Sequence, residues 1–163
     1  MKRILLLICL MLGLAGARIA LAGDCKSYFD VDPENASALL ADKQEAQALK
    51  AEAVELVKVG KMSEASAKYL AAAEKHPETL VQASYTWNAA CALVAEKDEN
   101  FDWKISAGRA SNNAVVALKL LLKAETLANA PSPYCSKGVD KENLLRMIKL
   151  VRAWVSKFSD PQE

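Results

Sequence analysis

From residue 37 onward the chain is rich in Ala, Leu, Lys and Glu, with few Gly or Pro and few clusters of β-branched residues. A stretch of this length made almost wholly of helix formers fits one fold class, all-α. Pro and Gly then act as punctuation. Asp32-Pro33-Glu34 predicts a helix start, with Asp32 as cap and Pro33 in the first turn, where its missing amide costs nothing. The pattern runs on to Gly60, unless a break near Asp42 divides it, and Leu49, Ala53, Leu56 and Val57 form an apolar stripe within it.

A second helix is predicted over residues 62–75, with Ala65, Tyr69, Ala72 and Ala73 on one face and Pro77 ending it. So short a link after Gly60 makes the two helices pack antiparallel. A third helix is predicted over 81–96 with Tyr85, Trp87, Ala89, Ala92 and Leu93, followed by a polar stretch over 97–100. Val115, Val116, Leu118, Leu120, Leu121 and Leu122 mark the next helix as apolar on several sides, which predicts the central, most buried helix of the fold. After Pro131 and Pro133, Asp140 starts a last helix to Phe158. It has Leu144, Ile148, Val151, Val155 and Phe158 on one face and Arg146, Lys149, Arg152 and Lys157 on the other, as a terminal capping helix requires.

The run Gly60-Lys61-Met62-Ser63-Glu64-Ala65, with Tyr69, Ala72 and Pro77, resembles the second half of a tetratricopeptide repeat. Leu49, Ala53 and Leu56 match the large, small and large positions of the first helix, so the unit spans about residues 46–79. Glu52 departs from the pattern, where an aliphatic residue is usual. A second, irregular unit begins near Ala83, with Trp87 to Leu93 similar to a first helix and Ala117, Leu121 and Ala124 similar to a second; roughly 15 residues around 98–112 are inserted between them.

The resemblance implies a short right-handed solenoid of antiparallel helix pairs with a C-terminal capping helix. Two repeats are fewer than the three or so a solenoid needs, so the N-terminal segment and last helix must cover its ends. It also implies a concave side lined by first helices, where the matching positions are Gln47, Lys50, Val54 and Lys58, then Ser84, Trp87 and Cys91. The carboxylate clamp of some relatives is not supported: only Asn88 matches it, and Ala51 stands at the equivalent position of the first unit. Trp87 suits either a hot spot or ordinary core. Phe101 and Trp103 in the insertion suit a partner-contacting loop, unless Trp103 and Ile105 fold back onto the core.

Lys2 and Arg3, an uncharged apolar run over 4–14 and the small residues ending in Ala20-Leu21-Ala22 have the order of a secretory signal peptide. The run falls well short of the roughly 20 residues that span a bilayer. Residues 1–22 are therefore expected to be removed, leaving one domain over 23–163 in a periplasmic or secreted setting, without stable membrane insertion. Asp24 before Cys25 argues against lipidation. The mature chain keeps 18 basic and 20 acidic residues, which gives no reason to expect nucleic acid as partner. Cys91 lies in an apolar helical run and is expected to be a buried thiol, whereas Cys25 and Cys135 lie outside the strong helical patterns and are expected to pair as a disulfide.

No catalytic or phosphate-loop motif and no Cys-x-x-Cys is found. The one histidine, His76, stands at a helix end where a cationic ring would suit the terminal carbonyls. The expectation is a non-enzymatic adaptor without a cofactor that binds a protein or peptide. The alternatives are an accessory subunit of an envelope assembly and, remotely, an envelope hydrolase; the oligomeric state is left open.

Overall fold

A computed structural model describes residues 26–97 and 103–159. The expected signal peptide, Cys25 and Phe101 lie outside the described residues. Within them the fold is helical with one small two-stranded sheet.

The first turn of helix, α1 (Tyr28–Val31), is held by a capping box in which Asp30 accepts from both the amide and the hydroxyl of Ser27, at 3.2 and 2.7 Å. Pro33 lies in the turn that follows, and the long helix α2 (Ala36–Lys58) starts only after Asn35. Asp32 accepts from the amide and side chain of Asn35, so it caps this turn and not the helix that Pro33 was expected to open. Nothing breaks α2 near Asp42. It ends in a Schellman arrangement, with Gly60 at φ 77°, its amide on Val57 O and the Lys61 amide on Leu56 O. Lys61 then leads directly into α3 (Met62–Lys75), and Pro77 separates α3 from α4 (Thr79–Val94).

Two strands follow, β1 (Ala95–Lys97) and β2 (Trp103–Ile105), paired antiparallel with Ala95 opposite Ile105. This hairpin takes the place of the end of the third predicted helix. The Ser106 amide donates to Val94 O at 2.9 Å, which returns the chain to the end of α4. Helix α5 (Ala107–Asn129) starts there, so 107–112 belong to a helix and the insertion is shorter than expected. α5 stops before Pro131. Helix α6 (Lys141–Val155) opens on Asp140, which accepts from the Asn143 amide at 3.0 Å, and a 3-10 turn at Ser156–Phe158 ends it.

Each long helix packs on the next along the chain, and α6 also reaches α4. The close contacts are made by alanine: Ala53, Ala65, Ala72, Ala89, Ala90, Ala117 and Ala124 are all completely buried. Small side chains let helices approach until larger neighbours such as Tyr69 and Leu121 fill the space left between them.

The centre of the fold is α4, not α5. α4 buries Val81, Ala83, Tyr85, Thr86, Ala89, Ala90, Cys91, Ala92 and Val94, because it meets α3, α5 and α6 and the hairpin. α5 buries a single stripe of Ala110, Ala114, Ala117, Leu121, Ala124 and Ala128, and leaves Val115, Val116 and Leu122 more than half exposed. The density of apolar residues in 115–122 misplaces the core; the 3.6-residue period of the alanines locates it. α6 buries Leu144, Ile148, Val151 and Val155 on one face, as its pattern predicts.

Candidate functional site

Two shallow depressions are each lined in part by α4. The first, about 460 Å³, lies between α2 and α4 and is lined by Gln47, Lys50, Ala51, Val54, Glu55 and Tyr85. The second, about 420 Å³, lies between α4 and α6 and includes Ser84, Trp87, Val139, Asn143, Arg146 and Met147. The structure thus brings Gln47 and Lys50 together with Tyr85, and Ser84 and Trp87 together with α6. Lys58 does not line either depression; its ammonium pairs with Glu55 at 2.6 Å, near the end of α2.

Trp87 is half-buried and packs on the core formed by α4, α5 and α6, while its indole N–H is shielded from solvent and has no acceptor among the described residues. A buried donor without a partner is costly, which makes this ring a place of unspent hydrogen-bonding capacity. Trp103 lies elsewhere. On β2 it is half-buried, packs on the core and donates from its indole to Asn88 Oδ1 at 3.3 Å, with Ile105 beside it. That contact also engages the side chain of Asn88. Cys91 is 1% exposed and faces the core, so its side chain does not line either depression.

Tyr85, Asn143, Arg146 and Met147 were not foreseen as lining residues. Asn143 and Met147 each precede a core residue of α6, Leu144 and Ile148, by one position. A second stripe beside the buried stripe was the available signal.

A different constellation surrounds Glu78. The Glu78 side chain is 3% exposed, and its Oε1 receives both the Tyr28 hydroxyl and the Lys43 ammonium, the latter at 3.0 Å. Lys43 also lies 5.3 Å from the centre of the Tyr28 ring, and Tyr28 meets Tyr134 edge to face at 4.9 Å. Burial, followed by the adjacent Glu78, pushes the Tyr28 hydroxyl well above the usual phenol range, which keeps it a donor.

His76 belongs to the same corner and corrects the expectation of a cationic cap. It is 3% exposed, its Nδ1 accepts from the Glu78 amide at 3.2 Å, and its ring stands edge-on to Tyr85 at 5.7 Å. Burial lowers its pKa, with Glu78 opposing the shift. A ring nitrogen that accepts a hydrogen bond must be unprotonated, so His76 is a neutral structural acceptor. Among the described residues no group of His, Cys, Asp and Glu is arranged to hold a metal ion, and no helix is long and apolar enough to cross a membrane. Comparison with protein-family models, with curated proteins and with solved structures found no match to this chain.

Proposed function

We propose that the chain is an exported, tetratricopeptide-like adaptor that binds a protein or peptide along the side of the helix array where α2, α4 and α6 meet solvent, without catalysing a reaction on it. The observation that carries this reading is the pair of depressions sharing α4, which puts Lys50 and Tyr85 in one and Trp87 and Met147 in the other. Alternating first helices on one face are what the repeat pattern in residues 46–79 implies. A half-buried aromatic such as Trp87 in a depression flanked by charge is a suitable anchor for a partner. Export rests on the order of charge, apolar run and small residues over 1–22.

An oxidising destination would join Cys25 to Cys135. The Cys135 amide donates to Lys26 O at 3.3 Å and Lys26 pairs with Tyr134, which brings the neighbour of Cys25 beside Cys135. The bond forms by exchange with another disulfide, which is reduced to two thiols as the chain's pair is oxidised.

The test is affinity purification of the tagged protein from its native host, with the Lys50→Glu, Trp87→Ala double variant in parallel. A partner retained by the parent and lost by a variant of unchanged helicity supports the groove. The same partners on both would refute it.

One observation favours a second reading, an accessory subunit held permanently in an envelope assembly. Val115, Val116 and Leu122 expose apolar surface on the outer side of α5. A monomer at low concentration by sedimentation favours the adaptor; dimers or aggregates favour the subunit.

A further inference from the structure

The Glu78 corner borders a small pocket open to solvent, about 170 Å³, lined by Lys26, Ser27, Tyr28, Lys43, Glu78, Cys135 and Lys137. At roughly 30 Å³ per water it holds a tetrahedral ion and a little solvent. Lys43 is neutralised by Glu78, whereas Lys26 and Lys137 form no ion pair with any described residue, so the lining carries an excess of positive charge. Asp30, bonded to the amide and hydroxyl of Ser27, keeps its charge and interacts with Lys26, which reduces the excess without removing it. The cavity is therefore basic.

Its floor carries one opposite feature. Both bonds to the buried Glu78 carboxylate converge on Oε1, leaving Oε2 without a partner among the described residues. A ligand in this cavity must satisfy lysine ammonium groups with negative oxygens and also offer a proton to a carboxylate oxygen. Few small ions do both. Sulfate near neutral pH carries no proton, and would set its lone pairs against those of Oε2. A phosphomonoester has a second pKa near 6 and is largely deprotonated there, and a phosphodiester has no O–H at all. Inorganic phosphate retains at least one proton throughout the neutral range.

We propose that this cavity is a binding site for inorganic phosphate, with Lys26 and Lys137 on its charged oxygens and Glu78 Oε2 accepting its remaining hydrogen. The inference is independent of the groove and of any protein partner. No covalent step is involved. Binding would also fasten the N-terminal segment, through Lys26, to the loop that carries Lys137.

Titration calorimetry on the oxidised mature protein at pH 7.5, with phosphate, sulfate and glycerol phosphate in turn, tests it. Phosphate is expected to bind about tenfold or more tightly than either competitor, the penalty of setting an unprotonated oxygen against a carboxylate. Lys137→Ala, on an exposed side chain, should weaken phosphate several-fold while leaving the melting temperature without phosphate unchanged. Glu78→Gln should abolish the preference for phosphate over sulfate, because an amide can donate to either ion. Should that variant fail to fold, Lys26→Ala and Lys137→Ala decide the matter through phosphate affinity alone. Equal affinity for phosphate and sulfate, tighter binding of glycerol phosphate, no heat at millimolar phosphate, or indifference to Lys137→Ala would each overturn the proposal.

Discussion

Tyr28 donates its phenolic hydrogen to the Glu78 carboxylate, a residue fifty positions further along the chain and almost wholly buried. Lys43 completes the arrangement from α2. Three segments remote in sequence therefore meet on one carboxylate oxygen. Removing the hydroxyl with Tyr28→Phe leaves Lys43 as the one partner of that oxygen among the described residues. The expected loss is about 1.5–3 kcal/mol, the usual worth of a hydrogen bond to a charged group, measured by urea unfolding. A loss below about 0.5 kcal/mol would show that the hydroxyl is dispensable.

Acid should weaken the fold through His76. Burial holds its folded pKa below the unfolded value of 6.5, so the neutral ring contributes stability that is fully present above that value. That contribution is lost as pH falls through 6.5 toward the folded pKa. The urea midpoint is expected to drop between pH 7.5 and pH 5.5, and His76→Gln should flatten this slope. An unchanged slope in the variant would place the acid sensitivity elsewhere.

Leu121 and Leu122 are neighbours with opposite environments, 0% and 58% exposed. Leu121→Ala should cost about 2–5 kcal/mol by leaving a cavity among α4, α5 and α6. Leu122→Ala should fall within about 0.5 kcal/mol of the parent. Equal effects would mean that α5 is turned differently about its axis.

Ala72 has no exposed surface and lies with Ala46, Ala73 and Tyr85 between α2, α3 and α4. Ala72→Leu should overpack this contact and cost about 1–3 kcal/mol by thermal or urea unfolding. A neutral result would mean that the helices can separate without penalty.

The proposed Cys25 to Cys135 bond closes a loop of about 110 residues, worth about 4–5 kcal/mol in the chain-entropy model. Reduction of the exported protein should therefore lower its urea midpoint sharply, and mass spectrometry should find only Cys91 free without reductant. Free thiols at Cys25 and Cys135 would dismiss the pairing.

Residues governed by local rules were legible in advance. The Gly60 helix end, the Pro77 break, the Asp140 cap and the buried stripe of α6 each depend on a few neighbouring positions. Two kinds of feature escaped. The outward turn of Val115 and Leu122 depends on which side of α5 meets α4, and composition carries no such direction. The Glu78 corner depends on Tyr28 and Lys43, which lie fifty and thirty-five positions away, so nothing in the residues around Glu78 signals it. The hairpin was missed for a related reason: Ala95–Lys97 has no strand character of its own and is extended because Trp103–Ile105 returns beside it. Of the foreseen groove residues, Gln47, Lys50, Ser84 and Trp87 line the depressions, while Lys58 and Trp103 are engaged elsewhere.

The pairing of Lys26 with Tyr134 also orders events in time. A chain made from its N-terminus offers Tyr28 first, yet that ring cannot be sheathed until Glu78 and then Tyr134 have followed. The helices between can pair with their neighbours as they appear, since their contacts are sequential. The opening segment is therefore covered only late in synthesis, so a truncation before Tyr134 would leave Tyr28 joined to Glu78 and Lys43 but without the ring and the backbone pairing that sheathe it.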